Sequence, residues 1–218
     1  MDIHARPVLI YRWIVFLLAG GYALYQIWTS SYEVYGGPFR FLTIWALLAS
    51  FFAASRMLAL SERRTQRQWE AVVGATAALN AMVVILYWRL YFTDPALVNN
   101  GTPVWHQEYY LHLVGPLLQW IDMAVVYHRF RRYLPAAVVL ITVTVTYILW
   151  TEVIVAPRSN LPYPFLNQMT LDERLIYYAT VAGSALFVLA VAWGVAAGGR
   201  ALLGQSSGSA KSAGNPSR

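Results

Sequence analysis

Residues 71–92 read AVVGATAALNAMVVILYWRLYF, and within that run Arg89 is the only charged side chain. As an α-helix rising about 1.5 Å per residue, it is long enough to cross a hydrocarbon core about 30 Å thick. Its two flanks differ in kind. Before it stands the basic segment Ser61 to Glu70 (SERRTQRQWE); after it comes Thr93 to Gln107, rich in Pro, Asn and Gly and low in net charge. The run therefore reads as a membrane-crossing helix with one basic end and one uncharged end.

Working outward, five further stretches have the same character: Val8 to Trp28, Phe39 to Leu60, Glu108 to Tyr127, Leu134 to Ala156 and Leu175 to Gly198. The sequence thus predicts an all-α integral membrane protein, a bundle of six transmembrane helices forming one domain over residues 1–200. The remaining segment, 201–218, has almost no apolar side chain able to offset the entropy of ordering and reads as a flexible cytoplasmic tail. No cleavable signal peptide is evident, so the first run is expected to be a retained anchor.

Lys and Arg collect in alternate connections when spans are placed correctly. Arg6 and Arg12 lie at the amino end, Arg56, Arg63, Arg64 and Arg67 at or after the second stretch, Arg129, Arg131 and Arg132 after the fourth, and Arg200, Lys211 and Arg218 after the sixth. Only Arg40, Arg89, Arg158 and Arg174 fall on the other side, a split of twelve to four that puts both termini in the cytoplasm.

Composition agrees. Of 218 residues 58% are hydrophobic and 12% charged, with a mean hydropathy of +0.47, against about a quarter charged in soluble domains. The net charge of +6 is explained by orientation in the membrane, so nucleic-acid binding is not expected. With no cysteine, disulfides, thiolate metal sites and cysteine nucleophiles are excluded. Four histidines at scattered depths do not suit paired haem ligation, and no cofactor or metal is expected. Fifteen of the sixteen basic residues are Arg, a bias associated with GC-rich bacterial genomes and hence with a bacterial cytoplasmic membrane. Asn100-Gly101-Thr102 fits a glycosylation acceptor. No strong internal repeat is visible, which counts against a secondary transporter.

Polar residues inside the spans are the functional candidates. Thr43 and His112 each lie four residues into their stretches, about 6 Å below the outer boundary. Glu152 and Arg89, near the ends of antiparallel spans, reach the same level. Each has a simpler reading: a helix threonine bonding back to its own backbone, an interhelical histidine donor, an arginine reaching to the interface and its carboxylate partner. Pro116, four residues after His112, cannot donate to the His112 carbonyl, which is left as a spare acceptor or a bend. Asp122 lies about 15 Å deeper than His112 and is expected to pair structurally with Arg56 or Arg129; Asn80, near mid-membrane, is expected to bond between helices. His4, His106 and His128 read as loop residues.

Three patches carry a family likeness: Phe39 to Ala49 (FRFLTIWALLA), Leu111 to Asp122 (LHLVGPLLQWID) and Tyr147 to Asn167 (YILWTEVIVAPRSNLPYPFLN). Together they resemble the androgen-induced gene 1, or FAR-17a-like, family, and the six-span order matches up to about residue 199. The resemblance implies an intramembrane threonine hydrolase of fatty acid esters of hydroxy fatty acids, with Thr43 and His112 as the catalytic pair. On that reading Thr43 attacks the ester, His112 is the general base, Glu152 orients the imidazole, and Arg89 or backbone amides near Gly36-Gly37 stabilise the oxyanion. The expected partners are membrane lipids and a lipid-ester substrate entering from the outer leaflet; the oligomeric state is not read from the sequence. The rivals are a non-enzymatic lipid- or sterol-binding protein and a proton-coupled carrier using Glu152, His112 and Asp122.

Overall fold

The structure, a computed structural model, describes residues 2–98, 104–127 and 130–212, with side chains described through residue 201. The described residues are helices and connections without strands. Five helices are long and apolar enough to cross a membrane: α1 (Arg6–Thr29), α2 (Leu42–Ser61), α3 (Glu70–Thr93), the run Tyr133–Val155 that begins with α6 (Tyr133–Leu149), and Leu171–Ala201 within α7 (Leu171–Ser212). This is the arrangement of an integral membrane protein.

The expected fourth span takes a different form. Residues 105–127 are helical throughout, but as short pieces: α4 (Trp105–Tyr109), a wide turn at Tyr110–Val114, α5 (Gly115–Ile121) and a second wide turn at Asp122–Tyr127. In the wide turns an N–H reaches the carbonyl five residues back, as Gly115 does to Tyr110. A third follows α6 at Trp150–Val155, where the Ala156 N–H bonds to Thr151 at 2.8 Å. Inserted turns of this kind re-aim side chains and recur at functional sites.

Helix α3 is the centre of the bundle: 61% of its most apolar window is buried, against 28% for α1 and 22% for the last two spans. Its buried Gly74, Ala75, Ala77 and Ala78 let neighbouring helices come close. The Phe130 ring rests directly on Gly74, where a Cβ would fall 2.6 Å from it.

At the basic end the expected charge pattern turns into a buried network. Arg12 is only 2% exposed and pairs with Asp122 at 2.9 Å, while also donating to the Met57 carbonyl at 2.9 Å and Ser61 Oγ at 2.7 Å. The structural ion pair expected for Asp122 is made with Arg12, which the charge count placed only among the basic residues of the amino end. Arg56 bonds Ser55 and covers the Phe52 ring, whereas Arg129, with His128 and the Asn100-Gly101-Thr102 triplet, lies outside the described residues. His4 is half-buried, its Nδ1 2.9 Å from the Ser61 carbonyl. Asn80 donates to Ser50 Oγ at 2.8 Å and thereby ties α3 to α2.

At the opposite end Gly36 (φ 88°) and Gly37 (φ 48°) turn the chain between α1 and α2. Successive left-handed residues suit glycine, and a Cβ on Gly37 would meet the Tyr32 ring at 2.8 Å. Arg40 donates to the Asn160 carbonyl at 2.7 Å, and the Tyr147 hydroxyl to the Arg40 carbonyl at 3.0 Å. These bonds fix the start of α2.

Candidate functional site

Thr43 is the second residue of α2, whose N-cap position, Phe41, offers no side-chain cap. The first N–H groups of a helix have no acceptor within it, and the helix dipole is positive there. Thr43 thus brings a hydroxyl beside a backbone amide that favours negative charge.

His112 sits inside the wide turn Tyr110–Val114 and is buried. Its Nε2 lies 3.3 Å from Thr43 Oγ1. Its Nδ1 faces two oxygens one helical turn back, the Glu108 carbonyl at 3.2 Å and the Glu108 carboxylate at 3.1 Å. Both are acceptors, so they call for the ring proton on Nδ1, which leaves the Nε2 lone pair toward the threonine hydroxyl. The Tyr87 ring stacks on the imidazole with centroids 3.5 Å apart and planes within 7°, fixing the ring plane. The His112 carbonyl, which Pro116 cannot serve, is not spare: the Trp88 indole N–H donates to it at 2.8 Å. Helix α3 therefore holds His112 both by its ring and by its backbone.

Thr43 and His112 line one cavity of about 440 Å³, bounded by α1, α2, α3, α4, α6, α7 and the 157–170 connection. That is within the usual size of a small-molecule site, about 300–1,000 Å³. Its walls are mainly Leu, Ile, Val, Phe and Tyr, and Glu108 is its one charged lining residue among those described. Tyr163 lies in the connecting segment, where burial pushes its phenol up to about 12, so it lines the cavity as a neutral hydroxyl at physiological pH.

The other two residues expected at this depth point elsewhere. Glu152 receives Arg174 through two bonds of 2.9 Å and the Tyr178 hydroxyl at 2.6 Å, an ion pair joining the Trp150–Val155 turn to α7. It does not bond His112; the carboxylate at the imidazole is Glu108. Arg89 is exposed and does not line the cavity. Shared depth along helix axes says nothing about the direction around them, and this rotation separates Glu152 and Arg89 from the pair. Glu108 had a signal in the sequence: four residues before His112 it falls on the same helix face. Tyr87 and Trp88 had none beyond aromatic character near a membrane boundary. Among the described residues no cluster of His, Asp or Glu is placed to hold a metal ion.

Comparison with known proteins gives a consistent result. The chain is 26% identical over 174 residues to the human androgen-induced gene 1 protein, covering 69% of this chain and 72% of that protein. No solved structure matches. The family model for FAR-17a/AIG1-like proteins matches residues 8–196, which take in α1 through most of α7 and include both Thr43 and His112, and the chain belongs to that family.

Proposed function

We propose that this protein is an intramembrane lipid-ester hydrolase with Thr43 as nucleophile and His112 as general base. One observation carries the reading: a threonine hydroxyl 3.3 Å from an imidazole nitrogen, both opening into a lipid-like cavity. Threonine is a weak nucleophile unless a base removes its proton during attack, and the Nδ1 contacts of His112 leave Nε2 free for that role.

In the first half-reaction Thr43 Oγ1 attacks the ester carbonyl carbon and its proton passes to Nε2. The oxyanion is stabilised by the backbone N–H of Thr43 in the first turn of α2, in place of Arg89. The tetrahedral intermediate collapses, and the leaving alkoxide takes the proton from Nε2. In the second half-reaction water gives a proton to Nε2 and its oxygen attacks the acyl-threonine carbon. Collapse releases the carboxylic acid and returns the proton to Thr43. Glu108 holds the Nδ1 proton throughout and stabilises the imidazolium, as the third member of a triad does.

In this proposal residues 105–127 form a sixth span despite their wide turns, both termini are cytoplasmic, and the site faces the outer leaflet. Fatty acid esters of hydroxy fatty acids are the first substrates to test. The test is hydrolysis by purified protein and by Thr43→Ala and His112→Ala, each checked for folding and membrane insertion. We expect both variants to lose turnover by at least about a hundredfold; wild-type activity in either rejects the pair, and lipid retention without turnover would make the protein a lipid carrier.

A further inference from the structure

The mechanism proposed above gives the developing oxyanion one donor, the backbone N–H of Thr43. Acyl-transfer sites commonly aim more than one donor at that oxygen, and Gln and Asn amides are among the groups that serve. The arginines near this end of the bundle are turned away or engaged: Arg89 is exposed, Arg40 donates to the Asn160 carbonyl and Arg174 to Glu152.

Gln26 on α1 has a donor to offer. It is 6% exposed, lines the same cavity as Thr43 and His112, and its amide nitrogen has no hydrogen-bond partner among the described residues. A buried donor left unpaired costs stability, and such groups mark places where a ligand or a reacting atom supplies the acceptor.

The packing of α1 on α2 sets its level. The two helices run antiparallel: Arg12 meets Met57, Gly20 meets the Phe51 ring, and Ala23 shares a cluster with Leu47. Gln26 lies one turn beyond Ala23 and Thr43 one turn before Leu47, so both steps lead toward the same end of the bundle. Ala23 and Gln26, three apart, share a face of α1. Leu111, the neighbour of His112 in the chain, belongs to the same cluster as Ala23, which turns that face toward the catalytic pair. Depth and direction, which disagree for Glu152 and Arg89, agree for Gln26.

We propose that Gln26 Nε2 is a second oxyanion donor and thus a catalytic side chain of the hydrolase proposed above, on which this inference rests. Thr43 Oγ1 bonds the ester carbon, its proton passes to His112 Nε2, and the carbonyl π pair moves onto oxygen. That oxygen then accepts from the Thr43 N–H and from Gln26 Nε2. Collapse of the intermediate restores the carbonyl and expels the alkoxide, which takes the proton from Nε2. In an apolar wall the amide bonds the charged oxygen more strongly than the neutral carbonyl, so its effect falls on the transition state.

The test compares full-length wild type, Thr43→Ala and Gln26→Leu in detergent, with the palmitoyl ester of a hydroxystearic acid as substrate. Two inhibitors accompany it: a long-chain trifluoromethyl ketone, which a threonine hydroxyl attacks to form a hemiketal oxyanion, and an ether of the same length without a carbonyl. Gln26→Leu should lower kcat by about a hundredfold or more, with KM little changed and a melting temperature no lower than wild type. It should weaken the ketone by a similar factor and leave the ether unaffected, whereas a residue that merely shaped the cavity would weaken both. Unchanged kcat, or equal weakening of ketone and ether, overturns the proposal. Should Gln26→Leu fail to fold, Gln26→Met, unbranched and without a donor, is read in the same way. Turnover lost in Thr43→Ala but kept in Gln26→Leu removes this inference alone; no turnover by wild type removes the hydrolase and this inference with it.

Discussion

At the scale of single residues the account turns on which atoms face the imidazole of His112. Two acceptors from Glu108 at Nδ1 and one hydroxyl at Nε2 set a direction for the proton: held at Nδ1, accepted at Nε2. Glu108→Gln keeps the size of the side chain and the backbone acceptor but replaces the carboxylate with an amide that does not stabilise imidazolium charge. We predict a fall in kcat of about 10² with KM little changed, measured on an ester that wild type hydrolyses; Glu108→Asp should recover part of it. Equal kcat in wild type and Glu108→Gln would show that the carboxylate has no part in positioning the base. The sequence made Thr43 and His112 legible because depth in a membrane follows from counting residues along a helix. It misassigned the carboxylate because counting carries no azimuth, and Glu152 is turned toward Arg174 and Tyr178.

At the scale of elements, lipid makes long helices easy to read and their interruptions hard. A backbone crossing hydrocarbon satisfies itself as helix, so apolar runs of about 20 residues mark spans. The wide turns at Tyr110–Val114, Asp122–Tyr127 and Trp150–Val155 use the same residue types as ordinary helix and leave no compositional trace; only Pro116 hinted at the first. Packing between elements is close where α3 meets Phe130. Gly74→Ala would force a methyl group to within 2.6 Å of that ring, and we expect a loss of about 1–3 kcal/mol, read as a lower melting temperature in detergent. Gly183→Ala, where a Cβ meets nothing within 4 Å, is the matched control and should melt no lower than wild type. Similar losses in both would mean that helix α3 is not packed as described.

At the scale of the whole molecule, the two ends of the bundle do different work. The basic end is closed by the Arg12–Asp122 pair, which links α1 to the 105–127 run and, through Met57 and Ser61, to α2. Charge counting identified this end but not its partners, since several arginines gather there and the rule weighs number, not burial. Arg12→Met removes the guanidinium that Asp122 bonds at 2.9 Å and should cost about 3–5 kcal/mol, with Arg12→Met/Asp122→Leu recovering most of it. Thermal unfolding of the two variants checks this; a double variant as unstable as the single one would contradict it. The other end holds a cavity that joins most of the helices, and the proposed hydrolysis depends on one hydroxyl there being activated. The most direct test is to treat the membrane-embedded protein with a serine-reactive fluorophosphonate and map the adduct by mass spectrometry. The account predicts modification at Thr43 in wild type and none in His112→Ala; an adduct on another residue, or equal labelling of Thr43 without the histidine, would contradict it.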